Sequence, residues 1–195
     1  MNNTNPFIYS DDNKRYHTLN YYNKSSFNSK VFKAVIDAGF TCPNKDGTKG
    51  TGGCIYCMGG SGYFTEKSDG EIYDSVKRQL AAEKERIYKK HPDSLITAYF
   101  QANTNTYAPV ATLKEAYTAA LDFGVHGISI GTRADCLPDD VIALLCDINS
   151  KTHLTVELGL QTIHDKSAQI INRCYTYDCL LYTSPSPRDR TRSRM

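Results

Sequence analysis

Short apolar runs and amphipathic stretches take turns along this chain four times, and that alternation restricts the fold more than any other feature. Val31 to Ile36 reads as a first strand, ended by Asp37-Ala38-Gly39. A helix starts near Glu71, with Ile72, Val76, Leu80 and Ile87 on one face and His91-Pro92 at its close. Leu95 to Phe100 forms the second strand. In the helix after it, Leu113, Ala116, Tyr117, Ala120 and Leu121 keep an apolar stripe; Thr112 and Glu115 have capping-box spacing, and Gly124 sits at the C-terminal cap. The third strand spans Gly127 to Gly131. Pro138 suits the first turn of a helix whose inward face is Val141, Leu144, Leu145 and Ile148. A fourth strand, Leu154 to Leu160, precedes a helix from Asp165 to Arg173. Strands joined by helical crossovers imply a parallel sheet with helices on its face, an α/β fold. Functional residues in such architectures gather at the C-terminal ends of the strands. Here those ends carry a cysteine loop, Gln101 to Asn105, Thr132 to Asp135, and Glu157 with Gln161.

The loop after the first strand reads Cys42-Pro-Asn-Lys-Asp-Gly-Thr-Lys-Gly-Thr-Gly-Gly-Cys54-Ile-Tyr-Cys57-Met-Gly-Gly. Eleven residues separate Cys42 from the Cys54-x-x-Cys57 pair. Its glycines permit positive φ and a close approach of backbone to a bulky group. Thiolates are soft ligands for iron–sulfur clusters, zinc or copper(I). A closed site takes four ligands. On the cysteines alone, a cluster and a structural zinc site are both open. No second Cys-x-x-Cys accompanies the first, and Cys136, Cys146 and Cys174 read as isolated, small, buried apolar residues. Glu157 on a buried strand calls for a ligand or an ion-pair partner, with Arg133 a candidate for the latter.

Three thiols with an aromatic residue, Tyr56, before the last resemble the cluster motif of the radical S-adenosylmethionine (SAM) superfamily. The long first gap and the phrase Cys-Ile-Tyr-Cys-Met-Gly-Gly are similar to a bacterial family close to the Elongator catalytic subunit. Further phrases carry the likeness from Asp37 to about Arg173: DAGFTCPN, YFQA, SIGTR, DCLPD and ELGLQ. The resemblance implies a partial (β/α) barrel of the radical SAM type, truncated after about four βα units. It implies that Cys42, Cys54 and Cys57 hold a 4Fe-4S cluster whose open iron binds SAM. Gln101, Asn103 and Thr104 are then candidates for the amino and carboxylate end of SAM, and Arg133, Glu157 and Gln161 for its ribose or carboxylate. An electron donor of flavodoxin or ferredoxin type would drive reductive cleavage of SAM and hydrogen abstraction from a substrate, with a wobble uridine of tRNA as one candidate. A small metabolite or a protein is the alternative substrate, and a non-catalytic zinc or iron–sulfur module the alternative function. Cys174 departs from this likeness, standing where the family favours glycine after Asn-Arg.

The chain divides into an N-terminal extension (1–30), a core (31–178) expected to be incomplete, and a tail (179–195). The extension is rich in Asn, Ser and Tyr without an apolar period, and reads as a loose segment packed through its tyrosines. The tail, CLLYTSPSPRDRTRSRM, resembles translated adapter DNA of a sequencing library and is set aside from fold reasoning. Its four arginines supply the stated net charge of +2; without it the net is −1, and a basic arm for nucleic acid disappears. Lys84, Arg86, Lys89 and Lys90 remain as a candidate basic patch, or as a solvated helix face paired with Glu83 and Glu85. With 40% hydrophobic and 23% charged residues the chain is globular in class. Seven cysteines without a signal peptide, and no apolar run of membrane-spanning length, point to the cytoplasm and to no membrane partner.

Overall fold

The computed structural model describes residues 14–57 and 68–183. Four strands, β1 (Val31–Ile36), β2 (Leu95–Phe100), β3 (Gly127–Thr132) and β4 (His153–Leu158), form one sheet in the order β1-β2-β3-β4, every neighbouring pair parallel. The helices of the described residues are α1 (Leu19–Phe27), α2 (Ile72–Tyr88), α3 (Val110–Phe123), α4 (Asp139–Asn149), α5 (Asp165–Ile170) and α6 (Tyr177–Thr183). The α/β alternation is present as expected, strand and helix following one another through four units.

Period-two alternation splits each strand between two environments. Ala34, Ile36, Ala98, Phe100, Ile128 and Ile130 are fully buried, in one core with Val76 and Leu80 of α2, Leu113 and Tyr117 of α3, and Val141 and Ile148 of α4. Each of the Val, Leu, Ile and Phe side chains contributes about 1.5–3 kcal/mol by leaving water. The opposite face carries Lys33, Tyr99, Ser129, Gly131 and Glu157, polar or small residues that no helix stripe could use. Parallel register sets Gly131 beside Glu157 and Gly127 beside His153. Gly127 is sterically required: a Cβ there would stand 2.8 Å from the His153 carbonyl oxygen.

Several boundaries depart from the sequence expectation. Residues 14–30 are not a loose segment, because α1 forms with Thr18 as its N-cap, the hydroxyl accepting from the Tyr21 N–H at 3.1 Å. Its Phe27 packs edge-on against His126 (ring centroids 4.4 Å apart) and His153 (5.1 Å), and Tyr22 packs against Phe27. The capping box at Thr112 does not form, since α3 begins at Val110 after Pro109 and encloses Thr112 in its first turn. Gly124 caps that helix in the left-handed conformation, φ +81°. Pro138 precedes α4 instead of entering its first turn, where Asp139 and Asp140 face the positive end of the helix dipole. Strand β4 stops at Leu158 and α5 at Ile170, both short of their expected ends. Two cations of the candidate basic patch are paired, Arg86 with Glu83 at 2.7 Å and Lys89 with Glu85 at 2.9 Å, while the Lys84 ammonium lies over the Tyr88 and Phe123 rings. Cys136 is buried, but Cys146 and Cys174 are exposed, against expectation. Residues 179–183 continue α6, while 1–13, 184–195 and the expected loop glycines Gly60 and Gly62 lie outside the described residues. Among the described residues no helix is long and apolar enough to cross a membrane.

Candidate active site

The cysteine loop is built by its own backbone. Lys45 and Asp46 both donate N–H to the Cys42 carbonyl (2.8 and 3.1 Å), Gly53 N–H reaches Asn44 O (2.8 Å), and Cys57 N–H closes a turn on Cys54 O (2.8 Å). Gly47, Gly52 and Gly53 take positive φ, the conformation for which glycine is suited. Asn44 is wholly buried beneath the loop and donates through Nδ2 to the carbonyls of Asn172 (2.6 Å) and Arg173 (3.0 Å). Asn172 Nδ2 in turn donates to Gly53 O (2.8 Å), and Ile55 N–H to Ile171 O (3.2 Å). The segment after α5 thus clamps the loop that carries the thiols.

A cavity of about 500 Å³ opens between this loop and the C-terminal ends of the strands. Every residue expected at the site lines it: Cys42, Cys54 and Cys57 from the loop; Gln101, Asn103 and Thr104 after β2; Arg133 after β3; Glu157 on β4 and Gln161 beyond it. All three thiols are unpaired, with Cys42 buried, Cys54 half-buried and Cys57 exposed. Cys54 donates to the Asn172 carbonyl at 3.4 Å and accepts from Asn44 Nδ2 at 3.5 Å. Among the described residues no group of three or more His, Cys, Asp or Glu side chains is close enough together to hold a metal ion. The residue types nonetheless suit a soft metal or a cluster, since three cysteine sulfurs line one cavity.

The walls are polar and partly strained. Ala102, Asn103 and Gln161 hold left-handed backbone, φ +66°, +62° and +58°, conformations that cost non-glycine residues energy and cluster at functional sites. Among the described residues, two nearly fully buried groups on the cavity wall lack a hydrogen-bond partner: Thr104 Oγ1 and one guanidinium nitrogen, Nη2, of Arg173. Native interiors satisfy such atoms, so both are suited to a polar ligand. The remaining nitrogens of Arg173 donate to the carbonyls of Leu160, Thr162 and Tyr175 (2.6, 2.6 and 2.9 Å); Nη2 lies 3.9 Å from Asp165. The amide of Asn103 is already engaged, accepting from Lys45 Nζ (2.6 Å) and donating to Phe40 O (2.8 Å).

Charges in and beside the cavity are arranged in two groups. Glu157 pairs with Lys33, not with Arg133 as the ion-pair reading had it, and also accepts from the Tyr99 hydroxyl at 2.9 Å. The Lys33 ammonium lies 3.9 Å over the Tyr99 ring. Partial burial, then the Glu157 carboxylate, pushes the Tyr99 phenol up to about 12. Arg133 makes a two-pronged contact with Asp135, 2.8 Å on each arm, and donates to Arg173 O at 2.9 Å. Burial works against both charges. The contact outweighs it, holding Arg133 above its ordinary value and, with Lys49, Asp135 below the usual carboxylate range. Cys136 beside them is pushed up to about 12, by burial first and the Asp135 charge second, so it stays a thiol.

Sequence reasoning missed Lys33, Lys45, Tyr99, Arg173 and Tyr175. Lys33 and Tyr99 were within reach, as the polar positions of strands whose alternate residues are buried. Arg173 had no local signal, because its partners come from α5, the segment after β4 and the cysteine loop. Tyr175 lies under two guanidinium groups, 4.9 Å from Arg133 and 4.4 Å from Arg173.

No family model matches the chain. It is 49% identical over 181 residues to the protein YtqA of Bacillus subtilis, an alignment covering 92% of this chain and 55% of that one. To the protein YhcC of Escherichia coli K12 it is 37% identical over 166 residues, 84% of this chain and 52% of the relative. To MJ0486 of Methanocaldococcus jannaschii it is 35% identical over 159 residues, 78% and 46%. The chain spans about half the length of the curated relatives it matches.

Proposed function

We propose that this chain carries the cofactor half of a radical SAM enzyme, with a sheet that is part of a (β/α) barrel of that type. Cys42, Cys54 and Cys57 hold a 4Fe-4S cluster, and the cavity beside them takes SAM. The observation that carries this reading is that three unpaired thiols and all six expected SAM-binding residues line one cavity of about 500 Å³. When bound, the cluster supplies the electron that cleaves SAM and so starts hydrogen abstraction from the substrate.

The chain's own groups divide the remaining work. Arg173 offers an unused N–H from a buried, immobilised guanidinium, suited to a carboxylate, and Thr104 a buried hydroxyl beside it in the cavity wall. Glu157 presents a carboxylate that Lys33 and Tyr99 hold in place, an acceptor for an ammonium or a ribose hydroxyl. Asn103 keeps the end of β2 against the cysteine loop, so its part is positioning. Arg133, neutralised by Asp135, orients the Arg173 carbonyl and stacks on Tyr175. Electrons would come from a flavodoxin or ferredoxin-like donor.

Anaerobic reconstitution with iron and sulfide tests the assignment. The wild-type protein is expected to bind about four iron atoms, to turn brown, and to form 5′-deoxyadenosine from SAM under reductant. Cys54→Ala should lose the cluster while Cys136→Ala keeps it. A colourless protein carrying one zinc ion would replace this reading with a structural metal module. The substrate proposed is a wobble uridine of tRNA, supported by the resemblance of the cysteine motif to the Elongator catalytic subunit. Loss of a modified nucleoside from tRNA of a deletion strain is the expected result, and unchanged nucleosides would move the substrate to a small metabolite or a protein.

A further inference from the structure

Among the described residues three cations border the cavity, and two of them have a carboxylate nearby. Arg133 meets Asp135, and Arg173, which keeps one N–H unused, has Asp165 at 3.9 Å. Lys45 differs. Its ammonium donates to a neutral amide oxygen, Asn103 Oδ1, at 2.6 Å, and among the described residues no carboxylate lies within ion-pairing distance of it. Its stem runs close over Gly53, where a Cβ would stand 3.1 Å from Lys45 Cε and 3.3 Å from Cγ. A half-buried cation without a counter-charge is costly unless a negative group arrives. The Glu157 carboxylate of the same cavity is taken by Lys33, and the other groups there that become negative are the sulfurs of Cys42, Cys54 and Cys57 once they lose their protons to a metal.

We infer that Lys45 is the counter-charge of the three-thiolate site and sets how readily a cluster held there accepts an electron; this rests on the cluster proposed above. A one-electron reduction adds one negative charge, and a fixed ammonium at the cavity wall favours the reduced form. Net charge and hydrogen bonding around the sulfurs are established levers on such potentials. The Asn103 bond holds the ammonium at the wall, which separates its role from that of Lys49, paired with Asp135 outside this cavity.

The test is a reductive titration of the reconstituted protein, followed by electron paramagnetic resonance, beside iron counts. Lys45→Gln keeps a donor for Asn103 and removes the charge; Lys45→Arg keeps the charge; Asn103→Leu removes the bond and keeps the charge. The expected result is equal iron in all four proteins and a reduction equilibrium at least tenfold less favourable in Lys45→Gln alone, about 59 mV for one electron. Lys45→Arg should stay near wild type and Asn103→Leu should move less than Lys45→Gln. An unshifted Lys45→Gln protein with full iron overturns the inference and leaves the cluster assignment standing. Wild-type protein that takes up no iron overturns both. If Lys45→Gln folds without iron while Lys45→Arg loads it, the charge is needed at assembly and the inference holds; if neither loads, Lys45 supplies shape and the inference fails.

Discussion

Asp135 shows how one side chain can decide the acid stability of a site. Its carboxylate is 5% exposed and answers both Arg133 and Lys49. Its pKa in the folded protein lies below the unfolded carboxylate value near 4. Its stabilising contribution is therefore complete above that value and is lost as pH falls through the lower, folded pKa. Asp135→Asn should remove this acid limb and leave Arg133 buried without its partner, costing about 3–5 kcal/mol at neutral pH. Denaturant titrations at pH 7 and pH 3 check this: the gap between wild type and variant should narrow at the lower pH. A gap that stays constant would mean that Asp135 acts through packing instead of charge.

At the scale of elements, the sheet depends on a contact that admits no side chain. β3 and β4 approach so closely at Gly127 that a single methyl group would meet backbone oxygen, which cannot rotate away. Gly127→Ala should cost about 1–3 kcal/mol, seen as a lowered midpoint of thermal unfolding, while alanine at Gly47 meets no atom within 4 Å and pays only for its positive φ. The strands were legible as short apolar runs between helical stretches, and β1 and β2 have the bounds the sequence suggested. Helix α1 was not, since its one buried residue is Asn23 and it has no apolar stripe. β4 was read too long because Gly159-Leu160 prolongs its apolar character, yet after the Gly159 N–H bond to Thr132 O the backbone leaves the sheet, with Gln161 at φ +58°. The capping box failed for a similar reason: spacing identifies a capping pair but not the proline upstream that starts the helix earlier.

For the molecule as a whole, the cysteines and the polar strand ends could be placed together from the sequence because a parallel sheet brings successive C-terminal ends to one rim. What could not be read was how the rim is held. Arg173 and Asn172 are remote in sequence from the loop they secure, and their hydrogen bonds run to backbone atoms, which leave no residue-type signature. That arrangement also imposes an order on synthesis. The Asn44 side chain finds its carbonyl acceptors 128 and 129 positions later, so a nascent chain presents the three cysteines before the residues that clamp their loop have been translated. Until Asn172 and Arg173 emerge, the loop lacks the hydrogen bonds that shape it, and its final form waits on the segment after the fourth strand.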